Sequence, residues 1–165
     1  MKNMLLAMFA TAALSTAAIA HHAGEQFRAG DIAVSHAYTF ENAEMAHAMR
    51  VYVTVHNTGD TADKLIGASV SFADEVAFEA QVIDASGSLV TNTLTSITVQ
   101  PGQSLTMQPG SVWIELDSVQ STFKHGQHFD MALTFERAGT VTIEVEVEES
   151  EHGDDHDHDH TKADS

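Results

Sequence analysis

The strongest constraint on this chain is the alternation in Val141-Thr142-Ile143-Glu144-Val145-Glu146-Val147, apolar at every odd position and polar at every even one. Successive strand side chains point to opposite faces, so this run is a half-buried β-strand with its valines and isoleucine inward and Thr and Glu outward. The same period recurs in Arg50-Val51-Tyr52-Val53-Thr54-Val55-His56, which sets Val51, Val53 and Val55 on one face and Tyr52, Thr54 and His56 on the other. A chain with such segments has to pair strands and bury one side of the resulting sheet.

Turn chemistry divides the rest into strands of similar length. Asn57-Thr58-Gly59-Asp60, Asp84-Ala85-Ser86-Gly87, Gln100-Pro101-Gly102-Gln103, Gln108-Pro109-Gly110-Ser111 and Ala138-Gly139-Thr140 are turn clusters. Glycine supplies left-handed backbone there, and Asn, Asp and Pro favour reversal. Between them the sequence predicts strands at Asp31–Tyr38, Lys64–Phe72, Glu75–Ile83, Leu89–Val99 as one or two, Ser104–Met107, Val112–Leu116, His128–Phe135 and Val141–Val147. No segment shows helical periodicity. Short strands with frequent turns give an all-β, antiparallel β-sandwich or barrel.

The ends do not belong to that domain. Lys2, the apolar run Met4–Ala13 and the small-x-small Ala18-Ile19-Ala20 form the three regions of a secretory signal peptide, residues 1–20, so the mature chain is expected to start at His21 in the periplasm. Residues 21–29 read as a leader, 30–148 as the domain and 149–165 as a tail without aromatic or branched apolar residues, unable to order itself. With no cysteine before the cleavage site and no later apolar run long enough to span, no membrane anchor is expected after cleavage.

Composition then excludes whole classes of function. The chain has no cysteine, which removes disulfides, thiolate metal sites and thiol chemistry together. Its formal net charge is −17, which argues against nucleic acid as a partner because phosphate binding needs a basic footprint. Ten carboxylates against one lysine lie between Glu144 and Ser165, leaving about −8 on the rest, an ordinary value for solubility. The chain shows no nucleophile elbow, phosphate loop or paired catalytic carboxylates, so no enzyme is expected.

The succession Asn57-Thr58-Gly59-Asp60 through Leu65-Ile66-Gly67-Ala68-Ser69, then Val99-Gln100-Pro101-Gly102, then Leu133-Thr134-Phe135-Glu136-Arg137-Ala138-Gly139-Thr140-Val141 resembles the periplasmic PCu(A)C copper chaperones, over roughly Gly30 to Val147. The resemblance implies a cupredoxin-like β-sandwich and delivery of Cu(I) to the copper centre of cytochrome c oxidase or to its assembly factors. That family holds copper with a His after the third strand, a Met in the following hairpin and a His-x-Met pair after a Gly-rich turn. Here those positions fall on Glu79, among Val90, Thr91 and Asn92, and on Val112-Trp113-Ile114. The usual copper ligands are missing.

Other residues offer metal chemistry. Met45, His47 and Met49 alternate, and two thioethers with one imidazole suit Cu(I). In a regular strand, residues two apart on one face lie about 7 Å from each other, so His47 and one Met can share an ion, and all three only if the segment is irregular. The alternative is that both methionines fill the core edge. At a mature amino terminus, His21 and its neighbour His22 present nitrogen ligands for Cu(II). In the tail, His152, His156, His158 and His160 among Asp and Glu suit Zn, Cu(II) or Ni at modest affinity. The tail alone would also serve a zinc-scavenging protein, and a domain without ligands a non-delivering interaction module. His125 and His128 flank Gly126-Gln127 in a loop, whereas His36 and His56 read as ordinary strand histidines.

Overall fold

In the computed structural model the described residues are 26–44 and 46–149. They contain strands and loops but no helix, in the order β1 (Phe27–Ala29), β2 (Ile32–Phe40), β3 (Ala48–Asn57), β4 (Asp63–Ser69), β5 (Glu75–Ile83), β6 (Leu89–Leu94), β7 (Ile97–Val99), β8 (Ser104–Thr106), β9 (Val112–Asp117), β10 (His128–Phe135) and β11 (Gly139–Glu148). Four of the turn clusters lie where the sequence puts them, and Leu89–Val99 divides into two strands; the last turn falls at 136–138, so Gly139 and Thr140, read as turn, already belong to β11. β1 falls inside the stretch read as a leader: it pairs with the start of β2, Phe27 opposite Val34. Three residues are too few to show a period, which is why it went unread.

The strands join in the path β6-β5-β9-β3-β2-β11-β10-β4-β7, with β1 added to β2 and β8 to β3. Every pairing is antiparallel except that of β2 with β11. The sheet closes over one core, because Val51, Phe78 and Ile114 from the β5-β9-β3 half belong to one packed cluster with Leu65, Met131, Leu133, Ile143 and Val145 from the β4-β10-β11 half. This is the all-β architecture that alternation predicts and the cupredoxin-like form that the resemblance implies, and Ile143, Val145 and Val147 are fully buried. Each of these large side chains contributes about 1.5–3 kcal/mol of burial free energy.

Two buried polar side chains tie strands together, Asn57 across the halves and Asp63 within the β4-β10-β11 half. Asn57 donates through Nδ2 to the carbonyls of Thr61 (2.8 Å) and Val99 (3.0 Å), and its Oδ1 accepts the Gly59 amide at 3.0 Å. Gly59 has to be glycine because a Cβ there would lie 2.6 Å from an Asp31 carboxylate oxygen. Asp63, 4% exposed, accepts the backbone amides of Lys64 (2.7 Å), Arg137 (2.9 Å) and Ala138 (2.9 Å), holding β4 to the β10–β11 hairpin. Asp63→Ala strands these amides and is expected to cost about 2–4 kcal/mol, since each buried donor left without a partner costs about 1–3. Urea denaturation measures it, and a loss below about 1 kcal/mol would refute this tie.

Candidate functional site

β3 and β9 pair with Arg50 opposite Glu115 and Val51 opposite Ile114, and β9 pairs with β5 so that Glu79 stands opposite Trp113. Paired residues share a face. Ile114 and Leu116 therefore turn to the core with Val51, while Arg50, Trp113, Glu115 and Glu79 share the outer face. This corrects the position of the family's His-x-Met pair. Val112 and Ile114 lie on the opposite face from Glu79, and Ile114 is fully buried, so neither can meet a ligand at Glu79. The pair that faces Glu79 is Trp113 and Glu115, one residue along. Strand parity, absent from a linear comparison, decides it.

Those positions are filled by a different kind of cluster. The Arg50 guanidinium lies 4.6 Å from the Trp113 ring centroid, its Nε donates to Glu115 Oε2 at 3.0 Å, and Trp113 Nε1 donates to the same oxygen at 2.5 Å. Trp113 is only 1% exposed beneath this roof. The hairpin position read as the family's Met holds Thr91 and Asn92, exposed on β6. Carboxylates, an indole and a hydroxyl are poor ligands for Cu(I), which selects thioether and imidazole. The residues present do not fit a copper ion at this place; an internal cation, Arg50, satisfies Glu115 instead. Among the described residues no cluster of three or more His, Asp or Glu is arranged to hold a metal.

Beside this cluster opens a cleft of about 440 Å³, lined by Phe40, Asn42, Ala46, Met49, Arg50 and Tyr52 among others. Tyr52 stacks on Tyr38 at 5.0 Å and meets Phe40 edge-on at 6.1 Å. Asn42 closes one wall, its Oδ1 accepting the Phe123 amide at 2.6 Å and its Nδ2 donating to the Ser121 carbonyl at 3.1 Å. A bulge in β2 between Ser35 and Tyr38, with His36 at φ 48°, accompanies this turn of the aromatic side chains to the outer face. Burial raises the phenol pKa of Tyr38 above its ordinary 10.0, and Glu148 adds to it. Burial also raises that of Tyr52, with Arg50 opposing and Tyr38 and Glu115 adding.

Of the expected ligands, His47 and Met49 are among the described residues. β3 begins at Ala48, so His47 precedes the strand; it is exposed, and its carbonyl accepts the Val119 amide at 3.1 Å. Met49 packs in the core at 5% exposure and reaches the cleft lining. Met45, His21, His22, His152, His156, His158 and His160 lie outside the described residues. His128 Nδ1 lies 3.5 Å from Glu144 Oε1, and His56 Nδ1 is 2.8 Å from the Ser104 hydroxyl. The sequence reading missed Arg50, Tyr52 and Trp113 as site residues. Arg50 heads an alternating strand and Trp113 is the sole tryptophan, yet only cross-strand register brings them together.

Comparison with known proteins follows from this fold. The LpqE-like family model, named for LpqE-like lipoproteins, matches residues 32–147. The chain belongs to the LpqE-like family. Among solved structures it is similar to a copper-bound PCuAC domain from PmoF2, at 28% identity and a TM-score of 0.66 over 76% of this chain and 99% of that one. It is also similar to an apo PCuAC domain from PmoF1, at 23% identity and TM-score 0.67 over 76% and 99%, and to apo-DR1885 from Deinococcus radiodurans, at 19% and 0.57 over 90% and 97%. A search of curated proteins gives no match.

Two outcomes test this face of the LpqE-like domain. Arg50→Met removes the ion pair and the cation–π contact and is expected to cost about 1 kcal/mol in thermal unfolding, with a red-shifted emission from Trp113. Unchanged emission would mean that Arg50 does not roof the indole. Because the native phenols hold their protons above pH 10, the folded state binds more protons than the unfolded state there. Stability that is complete below pH 10 is therefore expected to fall as pH rises through the native values, and phenolate absorbance to titrate above 10.0 in the folded protein.

Proposed function

We propose that this protein is an exported copper-binding protein of the PCuAC type that carries or stores Cu(I), using its Met- and His-bearing segments in place of the family's sheet ligands. The observation that carries the reading is the 28% identity to a copper-bound PCuAC domain across 99% of that domain. Export agrees with the lipoprotein family and with the signal-like first twenty residues.

The place where the described chain ends supports a division of labour. The Glu148 carbonyl accepts the Glu41 amide at 2.9 Å, and Glu41 lines the cleft together with Ala46, Ala48 and Met49. The last described strand thus ends beside the cleft that Ala46 and Met49 line. In this reading the tail captures ions and Met45, His47 and Met49 hold Cu(I), with His21 and His22 as further nitrogen ligands. Hand-over is ligand exchange: thioethers bind Cu(I) with moderate affinity, and an acceptor with a better site, such as the copper site of cytochrome c oxidase, takes it.

Titration with Cu(I) and Zn(II) of the full chain and of a form ending at Glu149 tests this. The short form is expected to keep one Cu(I) and to lose it in Met45→Ala/Met49→Leu, a pair that leaves the core volume at Met49 nearly unchanged. The full chain is expected to release its tail-bound metal as pH falls through about 6, where free imidazoles protonate. A short form that binds no Cu(I) overturns the chaperone reading.

A further inference from the structure

The sheet has four free ends or short additions, and one differs from the rest. β1, β7 and β8 are three residues each, whereas β6 has six and is the terminal strand of the path, with no described strand on its other side. Free strand edges expose a row of backbone donors and acceptors, and natural proteins guard them with charge, proline, bulges or brevity. β6, Leu89-Val90-Thr91-Asn92-Thr93-Leu94, has none of these guards. Its register with β5 runs unbroken from Phe78 opposite Leu94 to Ile83 opposite Leu89.

The surroundings favour association as well. Ile83 is 73% exposed, Leu89 63% and Val82 37%, forming an apolar tip on the β5–β6 hairpin. From Ala80 to Ile114 the only charged residue is Asp84, on a chain of net charge −17. Asp84 is engaged within the turn, accepting the amides of Ser86 at 2.8 Å and Ser88 at 2.9 Å. β6 is therefore a firm strand edge with no charged residue of its own on an otherwise strongly acidic molecule.

The identity of the occupant follows from β6 itself. A two-fold axis perpendicular to a sheet keeps each face on its own side, so in an antiparallel pair of identical strands opposed residues share parity. Centred on Thr91, the pairing sets Val90 against Asn92 and Leu89 against Thr93, mixing apolar with polar. Centred on Asn92, it sets Val90 against Leu94, Thr91 against Thr93 and Asn92 against Asn92, matching like with like in every row. Thr–Thr and aliphatic pairs are the favourable cross-strand combinations. Val90 and Leu94, both half-buried, lie on the core side and would continue apolar contacts across the junction on either flank of the central Asn92 pair.

We propose that β6 is a homodimerisation edge, two copies joining antiparallel about a two-fold axis at Asn92 into one continuous sheet. The inference is independent of copper. A six-residue edge with its hairpin tip lies at the small end of specific interfaces, so the dimer is concentration-dependent. Since the two copies repel through their net charge, salt strengthens the association by screening.

Sedimentation equilibrium of the full, metal-free chain over a range of concentrations and salt is the test. A dimer that grows with both is expected. Thr91→Lys/Thr93→Lys sets lysine against lysine in two cross-strand pairs and is expected to weaken the dimer about tenfold, leaving thermal unfolding unchanged because both side chains are exposed. The chain has no cysteine of its own, so Asn92→Cys under mild oxidation reports the register directly. It is expected to form a cross-linked dimer faster than the exposed control Gln100→Cys. A monomer under all conditions, an undiminished dimer in the lysine variant, or equal cross-linking at the two cysteine positions overturns the proposal.

Discussion

The rest of the structure depends on β3 being buried on both faces. Val51, Val53 and Val55 enter the main core, while Tyr52, at 3% exposure, packs on the outer face against Tyr38 and beside the Arg50–Trp113–Glu115 cluster. A strand in the middle of a sheet usually leaves one side to water. Here the second side carries its own layer, and that layer forms the cleft wall. The same backbone alternation that builds the core thus fixes which residues can form a site: Arg50 and Tyr52 are outward because Val51 and Val53 are inward.

That coupling explains how the domain keeps the PCuAC architecture without the family's sheet ligands. A metal site on β5 and β9 brings ligands together around a cation. In this chain the cation is supplied by Arg50, reaching Glu115 by an ion pair and Trp113 by its ring face. The buried indole has its N–H satisfied and the carboxylate has two donors, so no polar group waits for an ion. A partly exposed ion pair adds little stability alone, about 0–1 kcal/mol. Its role is to make the outer face complete.

Most of the fold was legible in the sequence because period-two patterning and turn residues are local. β5 and β10 match their predicted bounds, Glu75–Ile83 and His128–Phe135. The site was not legible, for the opposite reason. Arg50, Trp113 and Glu79 are far apart in the chain and meet only through register, and Tyr38 reaches Tyr52 only across the β2 bulge. The one-residue displacement at Val112–Ile114 has the same origin: a linear comparison carries no information about faces, whereas a one-residue shift in a strand moves every side chain to the other side. Strand pairing alone says which residues of β9 share a face with Glu79.

Closing the sheet site with a side chain also changes what metal can do to the protein. A ligand that binds the native state stabilises it by an amount set by its free concentration relative to its Kd. A domain whose central face needs an ion is therefore only as stable as its supply allows. Arg50 is tethered to β3 and present in every molecule, so the pairing at Glu115 and Trp113 needs no ion. Charge is unevenly placed as well: ten carboxylates gather between Glu144 and Ser165, while the stretch from Ala80 to Ile114 has Asp84 alone. An acidic segment concentrates cations by its field, whereas β6 carries no charge of its own.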